Sequence, residues 1–241
     1  MKIDVALLPS QLEKHKLAGK AVVVIDVLRA TSTIATALAN GCREVIPVLE
    51  PDDAHAAARN LPTGSFLLGG ERRGLKIPGF DLGNSPLEYR PEVVQGKTVI
   101  LSTTNGTRAA ILSREAEMVV FGSLLNAGAV ASYCRKRCSD LVLACAGRAG
   151  EFSFEDTICA GMITSLLGAQ NDLEQSDAAL AARYLYERYE GRLGQALGES
   201  HHGRYLVKIG LGDDLAACAA ANSIQLAPIL RNGKIVAAEE W

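Results

Sequence analysis

The chain has 241 residues, 48% of them apolar and 22% charged, with a formal net charge of −2. That length can bury the core of one sizeable α/β domain or of two small lobes, and the composition is that of an ordinary globular protein. A charge this near zero excludes a general pull towards nucleic acid or an anionic membrane, so any anionic ligand must be met by local arginines.

The chain begins MKIDVALLPS, without the basic stretch and long apolar core of a secretory signal. Its apolar runs, such as residues 21–28, fall far short of the ~20 residues that span a bilayer. Six cysteines (Cys42, Cys134, Cys138, Cys145, Cys159 and Cys218) are scattered along it. They fit buried thiols in a reducing compartment better than a disulfide framework, so a cytoplasmic location is expected.

Residues 2–8 form the first strand candidate. The run AVVVI at 21–25 is apolar and rich in β-branched side chains, the pattern of a buried strand. It ends on Asp26. The chain then turns through Arg29 into Thr31, Ser32 and Thr33, and residues 34–38 continue at helical spacing, so one hydroxyl is expected as the N-cap. A strand end with a carboxylate, beside a helix start with N–H groups and an arginine, suits a metal-assisted reaction on an anion. The active site is expected there.

EVIPV at 44–48 and residues 65–68 are further strands. Residues 69–91 are rich in Gly, Pro, Asn and Asp and read as a loop, long enough to suggest a functional one. Leu75, Ile77, Phe80, Leu82 and Tyr89 argue that it is ordered, wraps the sheet edge and lends side chains to the site. Residues 98–114 (strand, hydroxyl-rich turn, helix) repeat the plan of 22–41, and MVVFG at 118–122 is the next strand. Residues 140–168 repeat the plan a third time. Beyond them, residues 176–197 and 212–222 read as helices, the first capped by Ser176 and the second with Asp213 and Asp214 complementing the dipole of its first turn. Residues 234–238 form a last strand candidate.

The expected fold is therefore a single α/β domain over residues 1–241. It is a three-layer α/β/α arrangement with a largely parallel or mixed sheet built from repeated strand–turn–helix units. Residues 169–222 form its mostly helical C-terminal portion. Connections of this length between strands imply parallel pairing through right-handed crossovers. The turns 26–33, 102–107 and 146–156 would then share the carboxyl edge, where ligands bind parallel sheets.

Carboxylates at those turns come first as candidates. Asp26, Glu71, Asp81, Glu155 and Asp156 form a pool of metal ligands and acid–base groups, with Asp26, Glu71 and Asp81 as the metal set. Mg²⁺ takes a few carboxylate oxygens together with waters and phosphate oxygens. Each carboxylate alone fits a cap or a first helical turn equally well. Among Arg29, Arg72, Arg73, Arg108 and Arg148, the best anion binders are Arg29, between strand and helix, and Arg148, between two glycines. STTNGT at 102–107 and GNSP at 83–86 could cradle an oxyanion or be plain turns. The substrate-contact set is Arg29, Thr31, Asn84, Ser85, Thr104, Asn105 and Arg148. His201 and His202 read as a surface pair, with an acid or substrate contact as the alternative. Cys134 and Cys138 lack the second pair of a zinc site. No phosphate-binding P-loop or dinucleotide fingerprint is present, and Leu28 stands where a D-x-D phosphatase needs aspartate.

Taken in order, IDVLRATST, GER with GFDLGNSP, STTNGT and CAGRAGEFSFEDTICAG resemble the 2-phosphosulfolactate phosphatase family. LGDDLAACAAAN and Pro228 are similar to its C-terminal region. The resemblance implies a Mg²⁺-dependent enzyme that hydrolyses (2R)-2-phospho-3-sulfolactate to (2R)-3-sulfolactate and phosphate, a step in coenzyme M biosynthesis. Attack by water and attack by an enzyme nucleophile both stay open. The rival readings are a Mg²⁺-dependent phosphatase for another small phosphorylated acid and a non-catalytic anion-binding protein. Against the latter, five turn carboxylates would repel an anion unless a metal intervened. No nucleic acid or membrane partner is expected; a homodimer is, on the prevalence of symmetric dimers alone.

Overall fold

A computed structural model describes residues 1–12, 16–168 and 173–238. The part of the expected C-terminal helical portion at 169–172 lies outside the described residues. The N-terminal part comprises β1 (Lys2–Ala6), α1 (Pro9–Leu12), β2 (Ala21–Ile25), α2 (Ala30–Ala39), β3 (Glu44–Val48) and α3 (Pro51–Ala58). The middle comprises β4 (Phe66–Arg72), β5 (Leu75–Lys76), α4 (Pro91–Val94), β6 (Thr98–Ser102), α5 (Gly106–Leu112), β7 (Met118–Gly122), α6 (Ala127–Arg137) and β8 (Asp140–Cys145). Then follow α7 (Phe154–Gly168), β9 (Glu174–Gln175), α8 (Asp177–Tyr189), α9 (Leu193–Glu199), α10 (His201–Lys208), α11 (Asp213–Cys218), β10 (Pro228–Arg231) and β11 (Lys234–Ala237).

The strands form one mixed sheet of 11 strands in the order β5-β4-β6-β3-β11-β10-β7-β2-β8-β1-β9, flanked by helices in a three-layer α/β/α fold. Two parallel blocks make it up. One is β4-β6-β3, and the other is β7-β2-β8-β1-β9. The C-terminal hairpin β10–β11 sits between them, antiparallel to both, through Ile229 opposite Val120 and Ile235 opposite Val45. The strand–helix–strand units therefore do not close as expected: β2 is not beside β3, nor β6 beside β7. Helices α2 and α5 instead carry the chain from one block to the other and back. Apolar patterning encodes burial on two faces but not which strand is the neighbour, and the hairpin that separates the blocks arrives last in the chain.

Alternate side chains of β2 enter different cores, as a strand covered on both faces requires. Val23 and Ile25 pack with Ile3, Leu143, Ile158 and Ile163 on the side of α6, α7 and α8. Val22 and Val24 pack with Ile34, Val99, Leu101, Ala109 and Ile235 on the side of α2 and α5. A third cluster joins Leu68 and Ile100 to Ile77 and Phe80. It anchors the segment that follows β4.

Strand β4 corrects the loop expected from residue 69. It runs on through Gly69, Gly70 and Glu71 to Arg72 and turns back as β5. The glycines mark a close approach rather than a loop. A Cβ on Gly69 would strike the hydroxyl of Tyr89, and one on Gly70 would strike the carbonyl oxygen of Ser102, at a φ of 151° that side chains rarely adopt. Gly70→Ala is accordingly expected to lower unfolding stability by about 3 kcal/mol or more, from overpacking plus backbone strain. Urea denaturation checks this. The rest of the segment is ordered as expected, with Ile77, Phe80, Leu82 and Tyr89 buried, whereas Leu75 is exposed.

Candidate active site

The turn after β2 is held by its own backbone and by the hydroxyls behind it. Thr31 Oγ1 accepts from the Asp26 N–H at 3.1 Å and donates to the Asp26 carbonyl oxygen at 2.8 Å. Ser32 Oγ donates to the carbonyl oxygen of Val27 at 2.8 Å, and Thr33 Oγ1 to that of Asn84 at 2.7 Å. None of these hydroxyls caps α2, contrary to expectation. Arg29 occupies the N-cap without a side-chain capping bond, and the Leu28–Arg29 peptide is cis. The hydroxyls brace the turn instead, Thr31 at Asp26, Ser32 at Val27 and Thr33 at Asn84.

The Asp26 side chain lies where α2 and α5 both begin. Its Oδ1 accepts from the N–H of Ala30 at 3.3 Å, and the N–H of Gly106 also bonds to the carboxylate. Gly106 is needed there, because a Cβ would meet Ala30 at 2.8 Å and Asp26 Oδ2 at 3.0 Å. Burial, and then the charges of Glu71 and Glu155, raise Asp26 from the ordinary aspartate value of 3.8 to about 7; the two N–H groups oppose them.

Glu71 comes from the end of β4. Its Oε1 accepts from Thr104 N–H at 3.1 Å and Thr104 Oγ1 at 2.9 Å, and its Oε2 accepts from Gly74 N–H at 2.7 Å. Asp26 and Glu71 face a cavity of about 480 Å³. Arg29, Asn84, Thr104, Asn105 and Arg148 of the expected contact set line it as well. The turns after β2, β6 and β8 thus converge, together with the β4–β5 turn.

Five of the expected site residues do not reach the cavity lining. Thr31 is buried beneath Asp26. Ser85 donates to Asp214 Oδ1 at 2.5 Å and accepts from Leu87 N–H. Asp81, expected as a metal ligand, is exposed and accepts from Leu68 N–H at 2.8 Å, bracing β4 instead. Asp156 accepts from Val27 N–H at 2.8 Å and from Gly147 N–H at 3.2 Å, so it ties the turns after β2 and β8 together. Glu155 is buried beside it in the first turn of α7, bonded to the hydroxyls of Ser153 and Ser200. Burial raises both carboxyls above the usual range, and their mutual and Asp26 charges add to the effect on Asp156.

The cavity also has walls that sequence reading placed elsewhere. Arg29 donates from Nη1 to Asp214 Oδ2 at 2.7 Å and from Nη2 to the Gly74 carbonyl oxygen at 2.6 Å. Both partners of the Arg29–Asp214 ion pair have side chains 2% exposed. From sequence, Asp214 reads as a first-turn acid that complements the helix dipole. The signal for more was its spacing, since Asp214, Leu215 and Cys218 are all buried on one face of α11. His202, read as a surface residue, lines the cavity beside Tyr205, their rings stacked with centroids 6.0 Å apart. Burial and the charges of Arg29 and Arg148 lower His202 to about 4, so it is neutral near pH 7.

Among the described residues, no group of three or more His, Cys, Asp or Glu side chains is spaced to hold a metal ion. Asp26 and Glu71 are the two carboxylates that line the cavity. That donor set fits a cation such as Mg²⁺, which commonly takes one or two carboxylates and completes its shell with water and substrate phosphate. Burial is the larger cause of the raised Asp26, and the charges of Glu71 and Glu155 that add to it are ones such a cation would relieve.

The stability consequence has a definite sign. A carboxyl whose folded value lies above its unfolded value stabilises the fold fully below the unfolded value and loses that contribution as pH rises through the folded one. In protein stripped of divalent cations, the melting temperature is expected to fall as pH rises from about 5 to 8, across the window set by Asp26. Asp26→Asn should flatten that slope in a calorimetric pH series.

Comparison with known proteins adds an independent line. A family model described as 2-phosphosulpholactate phosphatase matches residues 6–233. A protein of Symbiobacterium thermophilum named "Probable 2-phosphosulfolactate phosphatase" is 46% identical over 226 residues, covering 93% of this chain and 97% of its own length. One of the same name from Caldanaerobacter subterraneus is 44% identical over 232 residues, covering 96% of each chain. Another, from Clostridium perfringens, is 45% identical over 241 residues, covering 99% of this chain and 97% of the relative.

Proposed function

The chain belongs to the 2-phosphosulpholactate phosphatase family, and from that membership we propose that it hydrolyses (2R)-2-phospho-3-sulfolactate to (2R)-3-sulfolactate and phosphate with Mg²⁺ as cofactor. The observation that carries the reading is the pairing of two buried carboxylates, Asp26 and Glu71, with four arginines in the wall of one cavity. Carboxylates alone would repel a phosphorylated acid, and arginines alone would bind it without reacting.

Asp26 and Glu71 would hold the Mg²⁺, which when bound supplies charge neutralisation and polarises the phosphoryl group. The protein's own groups do the rest. Phosphoryl transfer depends chiefly on positioning and charge stabilisation. Arg148, on the glycine-flanked turn after β8, answers the charge of the phosphoryl oxygens. Asp26, a buried carboxylate on the cavity floor, accepts the proton of the attacking water. The new bond joins the water oxygen to phosphorus. The bond from phosphorus to the sulfolactate oxygen breaks, and that oxygen takes a proton from solvent through the cavity mouth. Thr104, Asn105 and Asn84 orient the acid from the walls.

No helix of the described residues is long and apolar enough to cross a membrane. All six cysteines are free and five are buried, which fits the reducing cytoplasm where sulfolactate would feed coenzyme M biosynthesis.

The test is phosphate release from 2-phospho-3-sulfolactate by the purified protein, with Mg²⁺ and then with excess EDTA. Metal-dependent turnover is expected. Turnover of other small phosphorylated acids but not this one would move the assignment to a different substrate. Phosphate-induced stabilisation without any turnover would favour an anion-binding protein.

A further inference from the structure

The proposed substrate carries three anionic groups, and the cavity wall carries four arginines: Arg29, Arg72, Arg73 and Arg148. Three of the four are already engaged. Arg29 is paired with Asp214 and the Gly74 carbonyl oxygen. Arg72 donates to the carbonyl oxygens of Glu71 and Leu49 and to Ser102 Oγ, and it pairs with Glu50 at 3.4 Å. Arg148 Nη1 lies 3.0 Å from His201 Nδ1. The guanidinium of Arg73 makes no hydrogen bond or ion pair with a described residue.

The backbone of Arg73, by contrast, is held firmly. It has a φ of 53°, a conformation an arginine does not favour, at the turn between β4 and β5. Its carbonyl oxygen accepts from Tyr205 Oη at 2.9 Å. The neighbouring Gly74 is fixed through its N–H by Glu71 and through its carbonyl by Arg29. The fold thus fixes the base of a free, exposed cation on the cavity wall, two residues from Glu71.

We propose that Arg73 determines specificity by binding the sulfonate of the substrate. This rests on the phosphatase reading above. In 2-phospho-3-sulfolactate the phosphate and carboxylate are attached at the same carbon, and the sulfonate is on the next one. A phosphate placed at Asp26 and Glu71 brings the carboxylate in with it and leaves the sulfonate as the outlying anion. The less exposed arginines, Arg29 and Arg148, serve the groups on the floor. The outlying group meets the exposed one, and a guanidinium on a long stem can close on a sulfonate with paired N–H donors.

The experiment compares 2-phospho-3-sulfolactate with 2-phospholactate, which has a hydrogen in place of the sulfonate, for the wild type, Arg73→Asn and Arg73→Lys. Asparagine tolerates a positive φ, so Arg73→Asn removes the cation while keeping the turn. The ratio of kcat/KM for the sulfonated ester to that for the desulfo ester is expected to fall about 10- to 100-fold in Arg73→Asn, chiefly through KM, as for a lost charge-assisted hydrogen bond. Arg73→Lys should recover part of it, a rescue that a merely structural role would not give. A ratio within about threefold of the wild type in Arg73→Asn overturns the assignment alone. Wild-type protein that releases phosphate from neither ester overturns the phosphatase reading and this assignment together.

Discussion

Asp26→Asn is expected to lower kcat/KM for 2-phospho-3-sulfolactate by about 10³-fold or more while leaving the protein folded. A proton acceptor positioned at the reacting group contributes typically 10²- to 10⁴-fold, and loss of a metal-binding charge adds to that. The amide is nearly isosteric with the carboxylate and keeps an oxygen to accept from the Ala30 N–H that Oδ1 accepts from now. What disappears is the charge. Because burial and the charges of Glu71 and Glu155 make that charge costly, its removal should stabilise the cation-free fold at pH 8. Loss of activity alongside a raised melting temperature separates chemistry from collapse. Turnover within about threefold of the wild type would remove Asp26 from the reaction.

The site was legible where chemistry and structure are neighbours in the chain. At residues 21–34 the apolar run, the carboxylate and the hydroxyls follow one another, so the strand end and its acid could be read directly. The position of Glu71 in a strand could not be read, because Gly69 and Gly70 carry the composition of a loop. What makes them strand residues is the approach of Tyr89 and Ser102, which belong to later parts of the chain. Asp81, Glu155 and Asp156 show the opposite failure. Turn carboxylates are easily found, but whether their oxygens face a ligand depends on which N–H groups reach them first. For Asp81 that group is Leu68, and for Asp156 it is Val27 and Gly147. The separation of β3 from β7 rests on a hairpin more than a hundred residues downstream of β7, and local periodicity carries no trace of it.

The largest effect on stability is expected from Asp214→Ala, about 3 to 5 kcal/mol in urea denaturation, the usual result of leaving one member of a buried pair uncompensated. Arg29 is 3% exposed and would lose its carboxylate partner, while Ser85 would lose its acceptor at the same stroke. The loss should be far smaller when both charges go. In Arg29→Met/Asp214→Leu the pair is replaced by apolar side chains, a change that elsewhere is often neutral or stabilising. A double-mutant cycle would therefore show strong coupling, and additive losses would contradict the pairing. The same pair also reaches the chemistry. Arg29 holds the carbonyl of Gly74, whose N–H holds Glu71 and whose turn carries Arg73. In the double variant the fold should survive while KM rises, because the β4–β5 turn loses the bond that fixes it against α2. The ion pair joins α11 to the turn after β2 across 185 residues of sequence, so a helix late in the chain braces the turn that carries the site.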